Sequence, residues 1–264
     1  MSIAACFHLA AFHHLFRVVH ANTAELRNVC YRLRHKVYCE EFGFEPVRSD
    51  GLERDEWDSG SIHCLVQNAL NGEYVACARL IVPPFRYPGM TLPFERLCSD
   101  EVVGSVLDSG ASPSSIAEVS RLAIRADYRG ASSRRGAGRR ATLDSARGAQ
   151  SPPLLAGLLI GLLALSRIRG IDSTFMLVEA RLARYLTTIM GFRPKIVGEP
   201  VEHHGRRVLA MLNVPEAVEG LSPLTRPVFE DISVSLQEED AAREPAQLGN
   251  RAVTPVPRPA GFAY

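Results

Sequence analysis

The chain has 264 residues, 46% hydrophobic and 22% charged, with a formal net charge of +1. That length holds one large domain with tails, and the composition suits a globular chain with a sizeable core. The near-neutral balance excludes a global electrostatic case for nucleic acid or a membrane surface as partner.

Charge is uneven along the chain: residues 125–147 carry seven Arg against two Asp, and residues 222–264 carry four Arg against six acids. The six cysteines, Cys6, Cys30, Cys39, Cys64, Cys77 and Cys98, form no C-x-x-C pair. Most sit in apolar periodic segments, as reduced, buried thiols of a cytoplasmic protein would. The start, Met1-Ser2-Ile3-Ala4-Ala5, has no basic region, so a signal peptide is not expected. The uncharged run Leu154 to Leu165 falls short of the roughly 18 residues a membrane span needs, which predicts a buried core helix and no membrane span.

In chain order, residues 1–15 read as an N-terminal extension and Phe16–His20 as a first strand. Asn22 offers a helix cap with Glu25 three residues on. The helix runs to about Phe42 on the stripe Leu26, Val29, Cys30, Leu33 and Val37, with Arg34 and Tyr38 beside it, and Gly43 ends it. Residues 45–60 are polar and hold the only tryptophan, Trp57. They are long enough for a lid or binding loop, and they also fit a solvated acidic loop. Ser61–Gln67 and Tyr74–Val82 are strands around an Asn71-Gly72 turn. Arg79 shares a face with Val75, Cys77 and Ile81, where it either reaches an anion or caps the sheet edge. Leu92–Leu97 is a short ordered loop, Ser99–Leu107 a modest helix, and Ser109–Ser115 turn-rich.

Ala117-Glu118-Val119-Ser120-Arg121-Leu122 then reads as a buried strand carrying two charges, within about 116–125. Strict alternation sends residues three apart to opposite faces, so Glu118 and Arg121 share a side only across a bulge. They are either a functional pair or structural ions with separate partners. Residues 128–153 read as a flexible basic insert: a linker, a docking patch for an acidic partner, or a phosphate-cradling loop. A helix at 154–169, a strand at 171–178, a helix at 181–190 and strands at 195–203 and 207–214 follow, the last two joined by His204-Gly205-Arg206. Residues 222–264, with six Pro, read as a disordered tail. The order of strands and helices predicts a mixed α/β domain over residues 16–221. There is no P-loop, nucleophile elbow or HExxH pattern, and His13-His14 and His203-His204 are not metal-ligand spacings, so no metal is expected.

Five clusters in order carry a resemblance. Arg34-x-x-x-Tyr38 with Gly43-Phe44, Asp55-Glu56-Trp57-Asp58, Arg79-Leu80, Phe94 and Glu118-x-Ser120-Arg121 resemble the acyl-homoserine-lactone autoinducer synthases, except that Phe44 stands where they have tryptophan. Glu179-Ala180-Arg181-Leu182-Ala183-Arg184-Tyr185-Leu186, Gly191-Phe192 and His204-Gly205-Arg206-Arg207 resemble the related acyltransferases of PEP-CTERM/exosortase systems and N-acyl amino acid synthases. The resemblance spans about 16–214. It implies the GNAT-like acyl-CoA N-acyltransferase fold: an α/β (α+β) architecture with a mixed, splayed central sheet flanked by helices.

It also implies chemistry: transfer of a long-chain acyl group from an acyl-thioester, on acyl carrier protein or CoA, to a small amine such as an amino acid, without metal. Glu118 is the implied base or water-orienting carboxylate, and Arg121 an electrostatic clamp that also fixes Glu118. Arg34, Tyr38, Phe44, Asp55, Trp57, Asp58, Arg79, Phe94 and His204 are the implied substrate-binding set. Asp55 and Asp58 either hold the acceptor amine or brace Arg34 and Arg79 in an ion-pair lattice. Tyr38, Phe44 and Trp57 line an acyl pocket or belong to an aromatic core, and His204 faces the site or solvent. Arg125, Arg129, Arg134 and Arg135 are expected to dock an acidic acyl carrier protein. An acetyl-CoA N-acetyltransferase and a non-catalytic acyl or carrier-protein binding module are the competing readings.

Overall fold

The computed structural model describes residues 12–82, 91–107, 112–129 and 152–248. The expected N-terminal extension lies outside these up to residue 11, and most of the basic insert, 130–151, lies outside them too.

Seven strands form one sheet: β1 (Phe16–His20), β2 (Ser61–Asn68), β3 (Tyr74–Ile81), β4 (Ile116–Ile124), β5 (Ser173–Val178), β6 (Lys195–Glu202) and β7 (Arg206–Asn213). Their order is β1-β2-β3-β4-β5-β7-β6. All neighbours are antiparallel except β4 and β5. That parallel pair meets only at Ile116 with Ser173, Ala117 with Thr174 and Glu118 with Phe175. Beyond Glu118 the strands part, and the sheet forks into a β1–β4 half and a β5–β7 half. This is the splayed mixed sheet the sequence reading expects.

Helix α1 (Ala24–Arg34) covers the β1–β4 half on one face and continues as π-helical backbone through His35–Glu41. Its cap is Thr23, not Asn22: the Thr23 hydroxyl accepts the Leu26 amide hydrogen at 3.2 Å. Gly43 follows the helix at φ +63°, as its expected role at the C-terminus requires. Cys30, Leu33 and Val37 of this layer bury against Leu65, Cys77 and Ala123 of the sheet.

On the opposite face lies α3 (Pro152–Ile168), whose residues from Leu154 to Leu165 are almost all buried. Glycine lets this helix approach the sheet: a Cβ on Gly161 would fall 2.6 Å from a Val18 methyl and 3.1 Å from the Cys64 sulfur. None of the described helices is long and apolar enough to cross a membrane. Helix α2 (Asp100–Leu107), the 3₁₀ turn Pro93–Arg96, α4 (Ala180–Tyr185) and α5 (Val214–Glu219) complete the frame.

The disordered tail expected from Ser222 is corrected over Arg226–Leu248, which forms helix α6. Its Val228, Phe229, Ile232 and Leu236 are buried in the core that α3 also serves. That burial offsets the chain entropy that composition alone suggests would win. Residues 249–264 lie outside the described residues. Of the cysteines, Cys30, Cys39, Cys64 and Cys77 are buried free thiols and Cys98 is half-buried; Cys6 lies outside the described residues.

Candidate active site

The fork creates the site. Where β4 and β5 separate, a cavity of about 320 Å³ opens, within the size of small-molecule pockets. Its lining includes Glu118, Ser120 and Arg121 from β4 and Met176 and Val178 from β5. Leu159 of α3 and Leu182 of α4 add apolar wall. Tyr38, Phe44, Asp55, Trp57, Arg79 and His204 also line it.

The expected bulge is present. Arg79 pairs with Ser120 and Cys77 with Ala123, so Arg121 and Leu122 stand opposite Ala78 alone. Arg121 takes the left-handed backbone at φ 53°, a conformation costly for a non-glycine residue. The Tyr38 hydroxyl donates to the Leu122 carbonyl at 2.6 Å and ties α1's extension to the bulge.

Glu118 is 3% exposed, and its carboxylate accepts the Phe94 amide hydrogen at 2.8 Å. Burial pushes its pKa up to about 8, against the lowering effects of the Phe94 hydrogen bond and the Arg79 charge. Arg121 does not bond Glu118, contrary to the expected clamp. Its guanidinium instead reaches Glu53 at 3.2 Å, Glu45 at 3.3 Å and Asp55 at 3.2 Å. The bulge turns the arginine toward the 45–60 loop, where these three carboxylates meet it.

Behind this wall lies an ion-pair lattice. Arg34 donates to Glu53 and, in a two-pronged contact, to Asp58 at 2.6 and 2.9 Å. Arg79 donates to Asp58 at 2.8 Å, to Asp55 at 2.5 Å and to the Ser120 hydroxyl at 3.1 Å. Burial works to raise the Asp58 carboxyl, but the Arg34 hydrogen bonds and the Arg79 and Arg34 charges hold it far below the usual range. His63 packs edge-on to Tyr31 with its Nε2 3.7 Å from Asp58 Oδ1, and burial lowers its pKa to about 4. Arg34 and Asp58 are not among the residues lining the cavity, and Asp58 bridges Arg34 and Arg79.

Other expected residues divide. Phe94 serves through its backbone amide, while its ring stacks on Phe175 at 5.0 Å beneath the fork. Trp57 lines the cavity, donates its indole hydrogen to the Thr91 carbonyl at 2.9 Å and lies under the Arg96 guanidinium at 4.4 Å. Phe44 stacks on His204 at 4.8 Å, and His204 lines the cavity while remaining exposed to solvent.

The docking arginines fare worse. Arg129 is buried, paired with Glu41 and packed on the Phe42 ring at 4.8 Å. Arg125 is bound to Asp127 at 2.7 Å and Glu73 at 3.2 Å. Both already have intramolecular carboxylate partners, while Arg134 and Arg135 lie outside the described residues.

Glu45, Glu53, His203 and Arg207 are site residues that sequence reasoning missed. One signal pointed to Glu53: three strand and helix arginines, 34, 79 and 121, face a D-x-x-D pair that supplies only two carboxylates, so a third acid had to come from the same loop.

The model of the acetyltransferase (GNAT) domain matches residues 33–137, from α1 through β4 and its bulge. Among curated proteins, none matches the chain. Among solved structures, the chain is similar to TofI, seen in a ternary complex with an inhibitor and MTA, at 20% identity and TM-score 0.52, covering 80% of this chain and 99% of that one. It is similar to MesI, a CoA-dependent acyl-homoserine lactone synthase, at 19% identity and TM-score 0.51, covering 83% and 94%. It is also similar to FeeM, an N-acyl amino acid synthase from uncultured soil microbes, at 15% identity and TM-score 0.50, covering 78% and 94%. At these identities the likeness speaks for the fold. The domain match over residues 33–137 speaks for an acyl-transferring enzyme.

Proposed function

We propose that this enzyme moves a long-chain acyl group from an acyl-thioester, on acyl carrier protein or CoA, to an amine such as an amino acid, with Glu118 taking the amine's proton. One observation carries the reading: a buried carboxylate with its pKa near 8 stands where β4 and β5 part, beside a cavity with apolar walls. A base with that pKa is matched to proton transfer near neutral pH. The cavity has two characters. Glu45 and Asp55 suit an incoming ammonium, while Leu159, Met176, Val178 and Leu182 suit an acyl chain. Past Glu118, β4 has no register partner on β5, which supports the thioester carbonyl lying along that edge and meeting backbone N–H groups.

That MesI is CoA-dependent supports CoA as a donor, and that FeeM is an N-acyl amino acid synthase supports an amino-acid acceptor. The likeness of 179–186 and 204–207 to exosortase-associated acyltransferases supports a place in that setting, working in the cytoplasm.

The test is to express the chain in bacteria and analyse lipid extracts by mass spectrometry. It is paired with assays of purified protein on acetyl and long-chain thioesters. The reading expects a new N-acylated amine, absent for Glu118→Gln. Turnover of acetyl-CoA alone would overturn the long-chain assignment in favour of an N-acetyltransferase.

A further inference from the structure

Four rings run in sequence beside the cavity, three of them in its lining. Phe42 and Phe44 lie 5.2 Å apart, Phe44 and His204 4.8 Å, and His204 and His203 4.6 Å. Phe44 follows α1 and belongs to the β1–β4 half; His204 sits at the tip of the β6–β7 hairpin in the other half. The stack therefore spans the fork where no strand pairing does. Phe44, His203 and His204 all line the cavity.

Both ends are held from behind. The Phe44 amide donates to the Tyr38 carbonyl at 2.8 Å, just after the left-handed Gly43. On the other side, His204 adopts φ 50° and Gly205 φ 98°. The buried Arg207 donates to the His203 and His204 carbonyls at 3.1 and 3.0 Å, fixing the turn. The stack is also wired to the site, because Glu45, next to Phe44, pairs with Arg121 of the bulge.

We propose that Phe44 and His204 form a clasp across the fork that keeps bulk water from the bound thioester, so that the amine rather than water receives the acyl group. The inference rests on the acyl-transfer reading. In transfer, the amine nitrogen bonds the thioester carbonyl carbon as the C–S bond breaks; the amine gives up a proton and the departing thiolate takes one. Water admitted to the same place does the same with its oxygen, leaving free acid and thiol. The two outcomes share a donor and a base and differ only in the nucleophile that reaches the carbonyl, which is what a closed mouth selects.

Three variants test this. Phe44→Ala and His204→Gly each remove a ring, and glycine suits the left-handed backbone at 204. His204→Phe keeps the stack. Thiol released and amide formed are measured on one long-chain thioester. The ring-less variants are expected to raise the share of thiol unmatched by amide by roughly two- to tenfold, the equilibrium factor of one aromatic pair. His204→Phe should restore the wild-type ratio. An unchanged ratio in folded ring-less variants overturns the clasp, even if their thermal midpoints fall.

A second measurement needs no turnover. Trp57 is the only tryptophan and lines the same cavity. Its quenching by acrylamide should increase in the ring-less variants and not in His204→Phe; equal quenching in all four proteins overturns the clasp. Wild-type protein that makes no amide from any thioester defeats the acyl-transfer reading instead, and quenching still decides whether the mouth is closed.

Discussion

The Glu118 carboxylate accepts the Phe94 amide hydrogen at 2.8 Å and, among the described residues, has no ion-pair partner, although Arg79 and Arg121 line the same cavity. The arginines are spent on Glu45, Glu53, Asp55 and Asp58. Glu118 is thus left buried with one hydrogen bond and no paired charge, which is why its pKa is pushed up to about 8.

Transfer should rise with pH and level off above about 8, as the ionised base accumulates. Glu118→Gln should lower the rate by roughly 10²–10⁴-fold and remove that limb of the profile. Stability runs the other way. The folded pKa of about 8 lies above the ordinary 4.5, so this group's contribution is full below 4.5 and is lost as pH rises through about 8. Urea midpoints of wild type and Glu118→Gln should agree at the acid end of that range and part toward pH 8, with wild type the less stable there.

Asp58→Asn should cost about 3–5 kcal/mol, because it leaves Arg34 and Arg79 buried without their shared carboxylate. The Asp58 carboxyl is held below its ordinary 3.8, so its contribution is present above 3.8 and lost as pH falls further. His63, lowered from 6.5 to about 4, adds stability that is present above 6.5 and lost as pH falls through about 4. Acid titration followed by circular dichroism should therefore show loss of stability starting below 6.5, with the steepest part missing in Asp58→Asn.

Arg121→Lys keeps a charge but not the planar fork that reaches three carboxylates. The 45–60 loop should lose its fixed position, and transfer should drop by about 10²-fold, the scale of a small misplacement at a reacting centre. Stability should fall less than for Asp58→Asn, since Arg121 is only half-buried. Comparing kcat with denaturation midpoint for the two variants checks both statements.

Gly161→Ala should destabilise by about 1–3 kcal/mol, because its methyl would press on Val18. Adding Val18→Ala should recover part of the loss, so the pair is non-additive in a double-mutant cycle followed by thermal melting.

How much was legible follows from particular residues. Two charges three apart in an apolar strand require a bulge if both face one site, and Arg121 at φ 53° supplies it. The apolar run 154–165 had to be a core helix on length alone. Long-range pairing was harder to read. Glu53 sits among five other acids of the 45–60 loop, and nothing local marks it as the one buried against Arg34. Arg129 looked like the edge of a solvated basic run, yet one carboxylate, Glu41 at the end of the α1 extension, draws it inside. In the C-terminal stretch, Val228, Phe229, Ile232 and Leu236 recur at helical spacing, but prolines and acids dominate the composition around them.

The placement of the thiols makes each layer of the molecule separately addressable by a sulfhydryl reagent. Cys64 lies in the layer under α3, whereas Cys30 and Cys77 lie in the layer under α1. Burial raises the pKa of Cys30 and of Cys64, so neither reacts until its own layer opens. Modification mapped by mass spectrometry during slow denaturation then timestamps the two layers independently, and half-buried Cys98 marks the starting point.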